Sequence, residues 1–220
     1  MFRKYFRYIV YLIVIAWNIP AISGSYEDFF RAVGTDDAAS VRDLLLRGFD
    51  GNTPDPKGQY ALLIAVRDKS AKAADELLRW PRINVEVRNA ADESPLMMAS
   101  LQGLTELAQK LIAKGADVNK PGWAPLHYAA TKGHLAIMTL LLDSHAYIDA
   151  ESPNGTTPLM MAAFYGTPSA VKLLLEAGAD PLLKNTQGLT AIDFARRNSR
   201  QDSAEIIAAF VRARQPKGKW

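Results

Sequence analysis

The chain has 220 residues, of which 49% are hydrophobic and 22% charged, and this globular composition excludes a disordered or collagen-like polypeptide. It contains no cysteine, which excludes disulfides, thiolate zinc sites, iron–sulfur clusters and a cysteine nucleophile. The net charge of +3 comes from the first 23 residues, because Arg3, Lys4 and Arg7 lie there without an acidic residue. The rest of the chain has 23 of the 26 Lys and Arg residues against 23 Asp and Glu. Since affinity for nucleic acid rests largely on clustered Lys and Arg, this balance argues against a dedicated DNA or RNA binder.

The first 23 residues have the organisation of a secretory signal. Three positive charges in residues 1–7 precede an unbroken apolar run over residues 8–17, and the chain turns small and polar around Pro20 in residues 18–25. This order of segments is typical of a signal peptide, which we therefore expect over residues 1–23. The rest of the chain would then be exported. The periplasm is the favoured compartment, because an exported chain without cysteine needs no oxidative folding.

An uncleaved signal anchor is the alternative for this segment. Ile19 and Ile22 extend the apolar run, whereas Asn18 and Pro20 interrupt it, and a membrane-spanning helix needs about 20 apolar residues. An uncleaved segment would hold the protein at the inner membrane, facing the periplasm. A membrane is expected as a partner only in that case.

One repeating pattern dominates the chain after the signal. Five segments share a motif with leucine or isoleucine at the third position and alanine at the sixth, and they lie at residues 60–65, 94–99, 124–129, 157–162 and 190–195. The third positions of these motifs are 34, 30, 33 and 33 residues apart. A second apolar segment follows each motif, so each period is predicted to be a pair of helices.

Particular residue types define the ends of these helices. Ser94 and Thr157 each precede a proline. The hydroxyl can cap a helix that begins at this proline, and the missing N–H of proline costs no hydrogen bond at the first helical position. Glycines are expected to make the turns inside the pairs (Gly103, Gly133 and Gly166) and to end second helices (Gly48, Gly115 and Gly178). The methionine pairs at 97–98 and 160–161 are expected in the core. Because one pair cannot bury its apolar faces alone, the pattern predicts an all-α solenoid of about five to six helix-turn-helix units with short hairpin connections.

These repeats resemble ankyrin repeats. The family pattern Thr-Pro-Leu-His-x-Ala-Ala, then Gly, then Leu-Leu-x-x-Gly-Ala-Asp is similar to residues 94–117, 124–133 and 157–180. The resemblance covers about residues 25–212, and recurrence at about 33 residues is a specific signal. We therefore place one ankyrin repeat domain at residues 24–214.

The sequence departs from the family pattern between two of the repeats. The connection from Gly115 to Gly122 is three residues shorter than that from Gly178 to Gly188, which predicts a shortened hairpin around Lys120-Pro121. The last residues, 215–220, form a basic tail that we interpret as a solvated end.

The three histidines all fall in one repeat, which suggests a metal site. The resemblance places His127 in the Thr-Pro-Leu-His slot, where the ring bonds nearby backbone or hydroxyl groups, and places His134 after the inter-helix glycine. His145 stands where a glycine usually ends the second helix, a position whose positive φ a histidine tolerates. We expect no metal or cofactor, because this spacing suggests no partners that would orient metal ligands. No nucleophile, zinc-protease or phosphate-loop motif is present in the sequence, so we expect neither an enzyme nor a small-molecule substrate.

The resemblance implies a binding surface in the concave groove of the stack. In the family, the residue after the hairpin glycine and two residues after the Ala-Ala pair face this groove, which binds other proteins. The residues predicted to contact a partner are Arg67, Leu101, Gln102, Trp123, Thr131, Lys132, Phe164, Tyr165, Leu189 and Arg197. The middle of this set is apolar and aromatic, like the anchors of many interfaces, with Arg67, Lys132 and Arg197 as a polar rim. The alternative is that some of these side chains, Trp123 above all, fold onto neighbouring hairpins.

The function expected from the sequence is a non-catalytic, exported scaffold that binds another protein through the concave groove. The alternative is a membrane-anchored envelope protein with a structural or stress-protection role. The resemblance allows such a role, since exported bacterial ankyrin proteins are sometimes linked to protection of the envelope against peroxide.

Overall fold

The computed structural model describes residues 24–214, so the predicted signal peptide at 1–23 and the basic tail at 215–220 lie outside the described residues. In this range the regular elements are helices, apart from one isolated β-bridge between Pro54 and Tyr60. The predicted all-α class is confirmed. The helices are α1 (24–34), α2 (Ala38–Leu46), α3 (Ala61–Arg67), α4 (Ala71–Arg79), α5 (Pro95–Gln102), α6 (Thr105–Ala113), α7 (Pro125–Lys132), α8 (Leu135–Asp143), α9 (Pro158–Phe164), α10 (Pro168–Ala177), α11 (Ala191–Arg197) and α12 (Gln201–Arg214).

The first of two compact units contains α1 to α4 and ends at Asn84. Phe29, Val41 and Leu77 are fully buried in its core. The carboxylate of Glu76, 6% exposed, accepts from Arg42 Nε at 3.0 Å and Nη2 at 2.7 Å, and also from Arg79. The hydrogen bond from Arg42 holds the pKa of Glu76 below its usual value. The ion pair therefore links α2 to α4.

The second unit, residues 85–214 of the described range, is a two-layer stack of four helix pairs. The inner helices α5, α7, α9 and α11 pack side by side, and the outer helices α6, α8, α10 and α12 form the second row. Leucines of successive pairs, Leu96, Leu111, Leu126, Leu141 and Leu159, are all fully buried between the layers. This arrangement matches the predicted solenoid of helix pairs, in which each pair buries its apolar faces against its neighbours.

Local residue chemistry fixes the helix ends as predicted. The Ser94 hydroxyl accepts from Met97 N at 3.2 Å, and the Thr157 hydroxyl accepts from Met160 N at 3.3 Å. At the other end, Gly178 has φ 110° and Ala179 N donates to Leu174 O at 2.9 Å. His145 takes the same role with φ 65°, since Ala146 N donates to Leu141 O at 2.9 Å.

Gly166 differs from the other glycines that join the two helices of a pair. Gly103 and Gly133 have φ of 76° and 70°, as expected for left-handed turns, but Gly166 has no positive φ. A Cβ on Gly166 would lie 2.8 Å from Ala162 O and closer still to Ala130 O. Glycine is therefore needed there for the close approach of backbones and not for conformational freedom.

Side chains of the hairpin connections bind the backbone of the next repeat. In the first unit, Asn52 Nδ2 donates to Arg82 O at 2.8 Å and Asn52 Oδ1 accepts from Asn84 N at 2.8 Å. In the second unit, Asn119 makes the same pair of bonds to His145 O at 2.9 Å and Tyr147 N at 2.7 Å. Two further links of this kind run from Glu86 to Asp117 N, at 2.9 Å, and from Asp149 to Asp180 N, at 3.2 Å. We call this series the inter-repeat ladder.

The shortened hairpin is confirmed. The longer connections each close with a backbone bond, for example Ser152 N to Thr156 O at 3.0 Å and Asn185 N to Leu189 O at 3.0 Å. Residues 117–123, all of them described, have no such closing bond. Lys120 instead folds back, 15% exposed, and its Nζ lies 2.5 Å from Asp92 Oδ2.

From residue 24 to residue 214, no helix is both long and apolar enough to cross a bilayer.

Candidate functional site: an apolar pocket on the inner helices

A pocket of about 220 Å³ opens on the inner helices of the second unit. Three successive inner helices contribute to it, namely α5, α7 and α9. The lining residues are Leu101, Trp123, His127, Tyr128, Thr131 and Met161. We call this the inner-face pocket. Its walls are mainly aromatic and aliphatic, and such walls contribute binding energy by excluding water.

His127 anchors one wall of the pocket. The buried ring accepts from Ala124 N at Nδ1, at 3.1 Å, so its proton lies on Nε2, which donates to Thr156 O at 2.9 Å. Burial lowers the pKa of His127, so the imidazole stays neutral. The Trp123 ring meets the His127 ring edge to face, with centroids 5.2 Å apart. This histidine therefore joins two repeats and orients Trp123, as expected for the backbone-bonding role predicted from its position.

Tyr128, which also lines the pocket, ends in a polar group. The Tyr128 hydroxyl donates to Glu93 Oε1 at 3.1 Å, and Asn89 Nδ2 donates to Glu93 Oε2 at 2.7 Å. Burial, and then the negative charge of Glu93, raise the pKa of Tyr128 far above its ordinary value. The hydroxyl therefore stays protonated and fixes the ring beside the Glu93 carboxylate.

A second aromatic group lies one helical turn from the pocket. Phe164 and Tyr165 follow Met161 by three and four residues, so they share its side of α9. The Phe164 ring lies 4.5 Å from that of Tyr165 and 6.0 Å from that of Phe194. Arg200 Nη2 donates to Tyr165 O at 2.7 Å, which holds this turn in place. The Tyr165 side chain is 54% exposed. We call Phe164, Tyr165 and Phe194 the aromatic cluster.

The structure brings together half of the residues predicted to bind a partner. Leu101, Trp123 and Thr131 line the pocket, and Phe164 and Tyr165 belong to the aromatic cluster. The other five lie outside both groups. Gln102 and Leu189 are half-buried, Lys132 and Arg197 are exposed, and Arg67 lies in the first unit, where its Nε donates to Asp68 at 2.7 Å.

Apart from His127, which was assigned a backbone-bonding role, sequence reasoning missed two lining residues, Tyr128 and Met161. Both occupy the same position of the repeated motif, which Met98 fills one repeat earlier. We expected the methionine pairs in the core, and Met97 and Met160 are 1% exposed there. Met98 and Met161 are only half-buried. The recurrence of large apolar residues at this position was the available signal.

The His134 ring also lies against a backbone carbonyl. His134 Nε2 lies 3.2 Å from Leu101 O, and a Cβ on Gly103 would collide with the His134 ring. Throughout residues 24–214, no three His, Asp or Glu side chains are grouped as metal ligands.

A family model of ankyrin repeats in three copies matches residues 29–122, 72–152, 96–185 and 126–214. The chain belongs to the ankyrin repeat family. The short inner helices, the glycine and histidine turns and the hairpin connections described above are therefore successive ankyrin repeats. Ankyrin repeats form protein–protein interaction scaffolds, and proteins of this family are generally non-catalytic.

Similar proteins come from vertebrates and bacteria. The chain is 31% identical to the nuclear factor NF-kappa-B p105 subunit of Gallus gallus over 74% of its own length, but this match covers 17% of that protein. It covers 36% of the mouse B-cell lymphoma 3 protein homolog, so the chain spans about a third or less of these vertebrate relatives. The putative ankyrin repeat protein YahD of Escherichia coli is 27% identical over 87% of this chain and 96% of that protein.

Two solved structures have the same fold. The ankyrin repeat protein EF0377 superposes with a TM-score of 0.74 at 27% identity, over 83% of this chain and 97% of its own. A chain from the complex of the Bdellovibrio bacteriovorus predatory endopeptidase Bd0816 with the immunity protein Bd3460 gives a TM-score of 0.72 at 29% identity, with the same coverage.

Proposed function

We propose that this protein is a non-catalytic, exported scaffold that binds another protein through the inner face of residues 85–214. The observation that carries the proposal is the inner-face pocket of about 220 Å³ beside an aromatic cluster whose Tyr165 is 54% exposed. Ankyrin repeats bind proteins, and exposed apolar groups of this kind are more often interaction sites than accidents.

The aromatic groups suit a partner surface for a physical reason. Trp123 is oriented by the His127 ring, and the carbonyl of Tyr165 is held by Arg200. Anchors that are already ordered lose little conformational entropy on binding, so more of the energy from their burial contributes to affinity. Tryptophan and tyrosine are also the residue types that most often dominate interfaces.

Export is part of the same proposal and rests on the charged, apolar and small-residue order of residues 1–23. The likeness to a chain of an endopeptidase–immunity protein complex suggests a partner class to try first, namely a peptidase of the same compartment. Intact-mass measurement of the protein from cells tests the export step. A chain that begins near Gly24 supports it, and a chain that keeps residues 1–23 supports the membrane-anchored envelope protein instead.

The binding surface is tested by capture followed by affinity measurement. A photo-crosslinking residue at position 132, which is exposed and next to Thr131 of the pocket, identifies the partner in the periplasmic fraction. The purified partner is then titrated against wild type, Trp123→Ala and Tyr165→Ala. Truncation of an interface anchor costs about 2 kcal/mol, so we expect roughly thirtyfold weaker binding for each variant.

Tyr147→Ala is the matched control. Tyr147 is a tyrosine of similar exposure, 68%, but it lies in the connection after α8. The Tyr147→Ala protein should bind the partner with wild-type affinity. Circular dichroism melts establish that each variant is folded. If folded Trp123→Ala and Tyr165→Ala both keep wild-type affinity, the inner face is not the binding surface.

A further inference from the structure

The inner-face pocket has room for one side chain and not for a typical small molecule. Its volume of about 220 Å³ is below the range of about 300–1,000 Å³ of small-molecule sites. Its walls suit a long side chain with an apolar stem, because Leu101 and Met161 offer aliphatic surface and Trp123 and Tyr128 offer aromatic rings.

A carboxylate that has no cationic partner among the described residues accepts from Tyr128, one of the lining residues of this pocket. Glu93 is half-buried and is held by the Tyr128 hydroxyl and by Asn89. Within the described part of the chain, no Lys, Arg or His group forms an ion pair with it. A neutral hydroxyl and a neutral amide leave its negative charge uncompensated.

The two cations that contact Asp92, the residue before Glu93, are paired with carboxylates other than Glu93. Lys120 Nζ lies 2.5 Å from Asp92 Oδ2, and Arg88 Nη2 lies 2.5 Å from Glu86 Oε2. Glu93 and Trp123 each directly precede the first residue of a repeated motif, so they occupy the same position in adjacent repeats. The pocket therefore combines an apolar interior, two aromatic rings and an adjacent negative charge.

We propose that this pocket receives an arginine side chain of the partner protein, with the stem between Leu101 and Met161 and the guanidinium directed to Glu93. This inference rests on the proposed function and adds the chemistry of the partner. Arginine fits better than lysine, because its planar guanidinium stacks on aromatic rings and can donate two parallel bonds to one carboxylate. Leucine or phenylalanine would fill the pocket but leave Glu93 unpaired.

Short peptides test the pocket independently of the natural partner. The probes are acetyl-Leu-Arg-Leu-amide, the same peptide with citrulline, which has the shape of arginine but no charge, and the all-leucine peptide acetyl-Leu-Leu-Leu-amide. The measurement is the shift of the Trp123 indole N–H signal in NMR spectra of the purified protein, assigned by comparison with Trp123→Phe. We expect saturable shifts and about fivefold tighter binding of the arginine peptide, the value of a partly exposed ion pair.

Two variants assign this preference to one carboxylate. Glu93→Gln can still accept from Tyr128 but has no charge, so the arginine and citrulline peptides should bind it equally. Glu106→Gln removes an exposed carboxylate from the outer helix α6 and should keep the fivefold preference. The proposal is wrong if the arginine peptide gives no saturable shift, if citrulline or an all-leucine peptide binds equally well, or if Glu93→Gln keeps the preference.

The two proposals fail in different ways. If partner binding needs Trp123 but the peptides show no charge preference, the arginine assignment is wrong and the inner-face scaffold stands. If the peptides bind as expected but Trp123→Ala and Tyr165→Ala leave partner affinity unchanged, the pocket chemistry is right and the proposed function is wrong.

Discussion

Replacing Gly166 by alanine tests whether close backbone packing between α7 and α9 holds the stack together. The added Cβ would lie 2.8 Å from Ala162 O and closer to Ala130 O, whereas carbon–oxygen contacts normally need about 3.3 Å. Both obstacles are backbone carbonyls of helices, so relief requires a helix to move by at least about 0.5 Å. Overpacking of this kind costs about 1–3 kcal/mol, and we expect Gly166→Ala to reach about 3 kcal/mol.

Two other glycines separate this steric cost from conformational cost. Gly178 has φ 110° and open space around its Cβ position, so Gly178→Ala should cost about 1–2 kcal/mol from the left-handed backbone alone. Gly34, at the end of α1, has neither a positive φ nor a neighbour within 4 Å. Gly34→Ala should therefore be neutral or slightly stabilising.

The assay is urea unfolding followed by the helical circular dichroism signal. Since 1 kcal/mol corresponds to about 2–4 °C in a domain of this size, Gly166→Ala should also melt about 6–12 °C lower. A Gly166→Ala protein less than about 1 kcal/mol below wild type, or no less stable than Gly34→Ala, would refute the packing argument.

Two further predictions concern pH. Burial raises the pKa of Asp149, so the wild-type protein loses stability as pH rises through that value. Asp149→Asn should be more stable at pH 7 by at most about 1 kcal/mol, because solvent screens part of the charge effect and an amide bond to Gly178 O, like that of Asn119 to His145 O, supplies part of the gain. The gain should be smaller at pH 3, and equal gains in urea titrations at both pH values would contradict this. Burial lowers the pKa of His127, so the unfolded state takes up a proton first as pH falls below 6.5. The free energy of unfolding of wild type should therefore fall as pH drops below 6.5, whereas that of His127→Asn, already about 2 kcal/mol lower, should not. Parallel plots of unfolding free energy against pH for the two proteins would show that the ring is not buried in its neutral form.

Much of the fold could be predicted because its signals are local. The caps at Ser94 and Thr157 and the turn at Gly103 depend on residues within a few positions of each other, so a single sequence contains them. Gly166 was predicted to be a turn glycine like Gly103, but it has no positive φ. Its requirement comes from Ala130, on another helix, and no local pattern records a distance between helices.

The candidate site was only partly predictable for the same reason. Repeat positions identified Leu101, Trp123 and Thr131, because inner-helix residues of this family face a groove. The pocket itself forms where Leu101, Tyr128 and Met161 of three successive repeats meet, so its depth depends on the stacking of repeats. The carboxylate of Glu93 became informative only with its neighbours, since its lack of an ion pair is a property of the packed structure.

The inter-repeat ladder has a consequence for how this protein can change over time. Each link ends on a main-chain group, such as His145 O or Asp180 N. Every amino acid supplies the carbonyl, and every amino acid except proline supplies the N–H. Substitution of the side chains at those positions therefore leaves the link intact. The side chains of the inter-repeat ladder and the side chains that line the inner-face pocket are different sets, so substitutions in the pocket can change the partner while the ladder persists.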